Sequence, residues 1–377
     1  MATTFKTFTN NDVTSTRTLL HESIPITGSI LSGTYNEGNT TNEVNIKNFS
    51  HGLFQSVYDY PYLSSSANHI FDITLGYSNN SSLSSSANVQ NADKINMYNQ
   101  MAQVLMGYDQ NGSIREFDED GDLSAGGTKL KEVFFVNFAR LLNKDEVRKG
   151  SFELEFGIDS AFSMDAASQA TFDKRVKVAD LSGSDQYLVN SPAGDYGILY
   201  ATSSANGTSY LTNEEVPVGL VFYQTGIAVV SGSLFNDADD EGILATGVGT
   251  SILGNPLDAG TAGETGFNFV SGSSISGSCD AIRNRLYNIA FNNTTELNST
   301  IYFCRASHNE FNYSANPSYL QNSKIRVKEV GLDQPLSYIT TVGLYSANNE
   351  LLAVAKVSEP LKKTPDTELT LRVRLDY

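Results

Sequence analysis

The end of the chain restricts its fold more than any other stretch. Ser337-Tyr-Ile-Thr-Thr-Val-Gly-Leu-Tyr345, Glu350-Leu-Leu-Ala-Val-Ala-Lys-Val-Ser-Glu-Pro-Leu361 and Thr367-Glu-Leu-Thr-Leu-Arg-Val-Arg-Leu-Asp-Tyr377 follow one another. They read as three consecutive β-strands. The first two are joined by the polar turn cluster Ser346-Ala-Asn-Asn349. In the third, Leu369, Leu371, Val373 and Leu375 alternate with Thr370, Arg372, Arg374 and Asp376. That is the period of two expected of a strand with one buried face.

The rest of the composition agrees with short strands and polar turns. The chain is rich in Ser, Asn, Gly, Tyr and Phe and has no Trp, a mixture that suits strands broken by small turn residues better than long helices. Further strands are expected at Leu19 to Ser32, His69 to Tyr77, Lys131 to Leu142, Ser151 to Ile158, Gly197 to Thr202 and Ala281 to Phe291. A hairpin is expected over 216–235, where Val218, Leu220 and Phe222 run up to Gln224-Thr-Gly226 and Ile227, Val229 and Leu234 run away from it. One helix breaks the pattern, near 91–106. There Tyr98, Met101, Ala102 and Leu105 fall at i, i+3, i+4 and i+7, with Gly107 just past the end. Its narrow apolar stripe predicts a helix lying on one face of a sheet.

The expected fold is therefore mainly β, made of antiparallel β-sandwich domains with long loops and this one short helix. Three regions suggest themselves. Residues 1–175 form a β-rich part with the helix, 176–278 a Gly/Ser-rich middle with the hairpin and a long loop or arm, and 279–377 the strands that complete a sandwich. The longest stretch without regular pattern, Phe235 to Ser278, is expected to be an arm on a neighbouring subunit or a surface insertion. Leu63-Ser-Ser-Ser-Ala-Asn68 returns as Leu83-Ser-Ser-Ser-Ala-Asn88, but two copies amount to duplicated turn chemistry and not to a repeat architecture.

Size and charge bound the function. A chain of 377 residues can bury two or three cores. With 42 acidic against 25 basic residues the net charge is −17, which repels phosphate and argues against specific nucleic-acid binding. No apolar run approaches the ~20 residues that span a bilayer, and Met-Ala-Thr-Thr-Phe lacks the basic and apolar regions of a signal peptide. A protein that is neither exported nor membrane-bound is expected. Cys279 and Cys304 lie in separate apolar stretches without metal spacing and are expected to be buried thiols, with a disulfide the lesser alternative.

Beyond the closing strands, four further segments carry a resemblance. They are Phe8-Thr-Asn-Asn-Asp-Val-Thr-Ser-Thr-Arg-Thr-Leu-Leu-His-Glu-Ser-Ile-Pro-Ile-Thr27, Ser56-Val-Tyr-Asp-Tyr-Pro-Tyr-Leu-Ser-Ser-Ser-Ala-Asn-His-Ile-Phe71, Lys94-Ile-Asn-Met-Tyr-Asn-Gln-Met-Ala-Gln103 and Arg305-Ala-Ser-His-Asn-Glu-Phe-Asn-Tyr-Ser-Ala-Asn-Pro317. Together these segments resemble virion structural proteins of contractile-tailed phages, above all those infecting marine cyanobacteria. The resemblance implies a structural component of the particle, assembled in the host cytoplasm. The closing strands are similar to those of baseplate and tail-fibre attachment proteins, which places the expectation in the tail, in the baseplate or neck. Copies of the same chain and other virion proteins would be its partners.

Asp118, Asp120 and Asp122 alternate as at the start of a calcium loop, but the Gly comes too early and Lys129 stands where the bidentate Glu belongs. Asp237-Ala-Asp-Asp-Glu-Gly242 places its Gly correctly, yet Val248 takes the twelfth position. Both are expected to be solvated acidic turns, with a weak calcium site the lesser alternative, so no metal ligand is assigned and no cofactor is expected. The four histidines, His21, His51, His69 and His308, stand apart. Cys304 and His308 are four residues apart, in a stretch with strand character, and no catalytic residue is expected from them. A glycan hydrolase would need two convergent carboxylates, which spacing alone does not reveal. The interface candidates are aromatic: Tyr58, Tyr60 and Tyr62, stiffened by Pro61, and Phe311 with Tyr313. Tyrosine offers large contact area at little rotamer entropy. Two roles follow, a structural component acting through symmetric contacts or a host-recognition or fibre-anchoring protein.

Overall fold

The computed structural model describes residues 5–24, 45–121, 126–142, 145–158, 175–203, 210–238, 242–245, 266–283, 285–314, 320–322, 324–325 and 330–377. The first strands are β1 (Val13–Ile24), β2 (Ile46–Asn48), β3 (Gln55–Tyr58) and β4 (His69–Tyr77), followed by helix α1 (Asn91–Leu105). Next come β5 (Phe117–Asp118), β6 (Lys129–Leu130), β7 (Glu132–Asn137), β8 (Glu146–Val147), β9 (Glu153–Gly157) and β10 (Arg175–Ala179). A single helical turn, α2 (Gly183–Gln186), precedes β11 (Tyr196–Ser203), β12 (Val216–Phe222) and β13 (Ile227–Ser231). Helix α3 (Ile275–Arg283) leads into the long β14 (Leu286–Ala306), and the chain closes with β15 (Leu320–Gln321), β16 (Lys324–Ile325), β17 (Ser337–Tyr345), β18 (Leu351–Lys363) and β19 (Leu369–Asp376). The fold is mainly β, with large antiparallel sheets, as the sequence pattern predicts. Two compact units carry it: a central unit, His21–Thr295, and a terminal unit made of Met1–Leu20 with Glu296–Tyr377.

The central unit is built on antiparallel strands in the order β9, β10, β11, β12, β13, β7, β4, β3, β2. Alternation along β7 explains why its four central residues, Val133 to Val136, are all apolar. Phe134 and Val136 enter one core, while Val133 and Phe135 enter another on the opposite face. The first core also collects Phe71, Ile73, Leu75 and Tyr77 from β4 and Leu154, Phe156, Val176 and Val178 from β9 and β10. Strands far apart in the order thus face one cluster, as the two layers of a sandwich do. Phe134 and Phe156 meet edge to face at 5.6 Å, and Phe156 meets Phe235 the same way at 5.7 Å. Each such side chain stabilises the fold by about 1.5–3 kcal/mol.

Helix α1 covers the second core with Tyr98, Ala102 and Leu105, three of the four stripe residues named from the sequence. It lies close on β4 because Gly76 has no side chain: a Cβ there would stand 2.5 Å from the Lys94 carbonyl and 2.7 Å from the Tyr98 amide. Lys94, on the first turns of α1, is fully buried. Its ammonium donates to the carbonyls of Val89 (2.7 Å), Val270 (2.5 Å) and Ser273 (2.7 Å). Burial pulls its pKa down to about 8. Gln90 adds a second tie by accepting from the Ile275 amide at 2.8 Å.

Helix α3 is the element that strand patterning misassigns at Ala281, and the strand expected there begins at Leu286. Ile275, Cys279 and Ile282 recur at helical spacing and enter the first core. Their run is too short and too small-residue-rich for periodicity to stand out. The expected strand over Leu19 to Ser32 is met by β1 up to Ile24, and its remainder lies outside the described residues. So do parts of the arm expected over Phe235 to Ser278. Among the described residues no helix is long and apolar enough to cross a membrane.

The terminal unit is organised differently. The second half of β14 pairs with β19, from Ser299 opposite Asp376 to Ala306 opposite Leu369, and β1 is its other neighbour. The alternation in β19 is as read from sequence: Thr370, Arg372, Arg374 and Asp376 are exposed, and Leu369, Leu371, Val373 and Leu375 are turned to the covered face. Strands β17 and β18 form a two-stranded sheet of their own. Among the described residues of this unit only Ala306, Leu344 and Val373 are fully buried apolar side chains. The charge is equally uneven. The terminal unit holds 11 basic and 10 acidic residues, a net +1, and the central unit 14 and 32, a net −18.

Candidate functional site

Within the terminal unit a groove of about 690 Å³ opens beside β17. Aromatic rings in its lining are those of Phe5, Phe8, Phe303, Phe311, Tyr313, Tyr338 and Tyr345. On one side stands the segment before β1, fixed by short-range polar contacts. The Thr9 amide and hydroxyl both donate to Asp12 Oδ2, at 3.0 and 2.7 Å, and Arg305 Nε reaches Asp12 Oδ1 at 2.8 Å. These hydrogen bonds, led by that of the Thr9 hydroxyl, hold the Asp12 carboxyl below its usual value. Lys6 Nζ meets Glu310 Oε2 at 2.5 Å, and with the Ser307 amide it lowers the Glu310 pKa as well. Phe5 packs on Tyr345 at 4.7 Å and Phe8 on Tyr302 at 5.4 Å.

The turn after β14 carries Phe311 and Tyr313, and a second buried lysine shapes it. Lys363 Nζ donates to the His308 carbonyl (3.3 Å), Asn312 Oδ1 (2.9 Å) and the Thr364 carbonyl (2.8 Å). The Ser337 hydroxyl donates to the Phe311 carbonyl. Phe311 itself has φ +55, a left-handed conformation that an L side chain adopts only against a steric penalty. The anchored turn sustains it, and its ring stays nearly half exposed, at 47%. The ionic groups at the groove are already engaged with one another. What the groove offers is therefore aromatic surface and the outer edge of β17, which among the described residues pairs only with β18.

The other interface candidates belong to the central unit. Tyr58 ends β3, its ring edge-on to His69 at 5.3 Å and 6.2 Å from that of Tyr62. Tyr60 and Tyr62 are exposed. Below them His69 Nε2 and the Ser56 hydroxyl both meet Asp72 Oδ1, at 2.6 and 2.5 Å. Because serine and histidine share the carboxylate without touching each other in the manner of a nucleophile and its base, the trio works as a polar clamp across β3 and β4. The structure thus brings the rings of Tyr58 and Tyr62 together and leaves Tyr60 exposed beside them in sequence, while Phe311 and Tyr313 belong to a different compact unit.

Of the acidic clusters, Asp118 is buried and paired with Lys129, and burial raises its pKa. Asp122 and residues 239–241 lie outside the described residues. Among the described residues no three His, Cys, Asp or Glu gather as metal ligands. Cys279 and Cys304 are free thiols, the first fully buried and its pKa pushed up by burial. His308 is exposed, 3.8 Å from Glu368.

The groove itself was not anticipated from sequence beyond Phe311 and Tyr313. Its walls come from residues some three hundred positions apart, and the signal for one wall, Phe5 and Phe8 ahead of a capping Thr9-x-x-Asp12, is too short to distinguish from an ordinary helix start. Comparison with protein-family models, curated proteins and solved structures finds no match to this chain.

Proposed function

We propose that this protein is a structural component of a phage virion, placed in the tail at the baseplate or neck, and that it acts through protein contacts. The observation that carries this reading is the uncovered apolar surface of the terminal unit. A two-stranded hairpin is marginal in water by itself, yet β17 and β18 leave Tyr338, Tyr345, Leu351, Leu352 and Val354 exposed. A clustered apolar surface of this kind marks a protein contact site. The excess of acid in the central unit favours solubility before assembly. The resemblance of the closing strands to tail proteins supplies the particle.

Immunogold labelling of purified particles of the encoding phage, with antibody against this chain, tests the reading. Gold at the baseplate or neck is expected. Particles free of label, from cells that produce the chain, would contradict it.

A host-recognition or fibre-anchoring role on the tail is the second reading. The aromatic lining of the groove favours it, since flat rings also stack on sugars. Label at the distal tips of fibres would favour that role over the first.

A further inference from the structure

We propose that the groove of the terminal unit accepts an extended strand from a second copy of this chain, and that the donated strand is the exposed edge of β18, Leu351 to Lys356. The proposal rests on the assembly reading for its place in biology, but not for its test.

The acceptor is defined by two observations. Among the described residues the outer edge of β17 has no strand beside it, and β17 lines the groove along its length, so backbone donors and acceptors are free to pair with an extended chain. The groove is also a core left unfilled: Phe303, Val342 and Leu371 line it, while among the described residues of the unit only Ala306, Leu344 and Val373 are buried apolar side chains. An added strand would supply both the missing hydrogen bonds and apolar side chains for the cavity.

Three features point to a second copy as the donor. First, β18 displays the required strand itself. Leu351, Leu352 and Val354 are 53, 68 and 51% exposed, and from Leu351 to Ala355 the chain has no charge and no proline. Ala353 and Ala355 between them are small enough for close strand approach. Second, the charges beside the groove are spent in the Lys6–Glu310 and Asp12–Arg305 pairs, which leaves an environment suited to an uncharged strand. Third, the terminal unit is nearly neutral, at +1 against −18 for the central unit, so a contact formed by terminal units carries little charge repulsion of its own. Because β18 of one copy meets β17 of the next, the contact is head to tail, and such contacts close into rings when the rotation permits.

Light scattering on the purified full chain after size-exclusion chromatography tests this. The wild type is expected to run as more than one copy over a dilution series. The donor variant L352K/V354K changes only exposed side chains and is expected to be a single copy with an unaltered circular dichroism spectrum. The acceptor variant F8K should also be a single copy. An equimolar mixture of the two variants should form pairs and nothing larger, because one variant keeps the acceptor and the other the donor. A peptide of residues 350–357 should bind the donor variant in calorimetry and dissolve the wild-type assembly, a readout that stands even if one variant misfolds. A wild type that stays a single copy at every concentration and binds no peptide would overturn the proposal. So would a folded donor variant that assembles like the wild type, or a groove that binds oligosaccharides while the chain remains single. Any of these, found with gold label still at the baseplate or neck, would remove strand exchange and leave the virion role standing.

Discussion

The rings of Phe5 and Tyr345 pack 4.7 Å apart at an interplanar angle of 57°, which joins the segment before β1 to the last residue of β17 inside the terminal unit. Such a pair contributes about 0.5–1.5 kcal/mol beyond its buried area. F5A should therefore loosen the segment without unfolding the unit. Amide exchange at Asp12, whose N–H donates to the Thr9 carbonyl at 2.9 Å, is expected to quicken, with the β14–β19 ladder unchanged. Equal exchange in F5A and wild type would mean that the Thr9–Asp12–Arg305 contacts hold the segment alone.

Lys94 makes a sharper prediction for the central unit. Replacing it with Met keeps the volume but leaves three carbonyls without their donor, and a buried polar group without a partner costs about 1–3 kcal/mol. K94M is expected to lower the urea midpoint by the equivalent of about 3 kcal/mol. The wild-type group has a pKa of about 8 against an ordinary 10.5. The folded state thus binds fewer protons than the unfolded one between these values, so its contribution to stability rises with pH across that window. The rise should vanish in K94M. A midpoint shift below about 0.5 kcal/mol, the range of ordinary surface substitutions, would contradict the role given to this ammonium.

Gly76 is predicted to be irreplaceable for contact between α1 and β4. A methyl group there must displace the backbone at Lys94 and Tyr98, and overpacking of this sort costs about 1–3 kcal/mol. G76A should lower the thermal midpoint and accelerate exchange in α1 ahead of the rest of the sheet. An unchanged midpoint would show that the helix can shift without penalty.

Acid should act first on the terminal unit. Asp12, Glu310 and Asp376 all have pKa values below their ordinary 3.8, 4.5 and 3.8, through hydrogen bonds from Thr9, Lys6 and Ser299 respectively. Lowered carboxylates contribute stability above the ordinary values and lose it as pH falls through the folded ones. Asp376 is exposed and Glu310 partly exposed, so their contributions are small and screened by salt, while Asp12 is buried beside Arg305. Amide exchange in β14 and β19 should increase from about pH 4.5 downward, earlier than in β12 and β13, and more so at low ionic strength. Loss of protection in the central sheet first would contradict this order.

Much of the fold was legible because period and burial coincide. His69 to Tyr77 and Ser337 to Tyr345 were bounded correctly, as their apolar alternation stops where Gly, Ser and Asn begin. The hairpin turn at Gly226 was marked by the one residue suited to its φ of +67. Helix α3 was obscured because Ser276, Gly277 and Ser278 are poor helix formers that tertiary packing overrides. The candidate site was less legible. Phe311 and Tyr313 stand out as aromatics in a polar turn, but Lys94 and Lys363 give no local sign that a fold will bury them. The groove depends on long-range pairing that no local pattern carries.

The most direct test of an assembly role compares amide exchange in the purified donor variant L352K/V354K, a single copy by expectation, with that of the wild-type chain in isolated particles, segment by segment. Protection in particles is expected along β17 and along Leu351 to Lys356 of β18, whose outer edges no described strand covers, while β4 and β7, already buried on both faces, change little. Equal exchange at β17 and β18 in the two states, from a chain shown to be present in the particles, would contradict the claim that this hairpin is how the protein joins its neighbours.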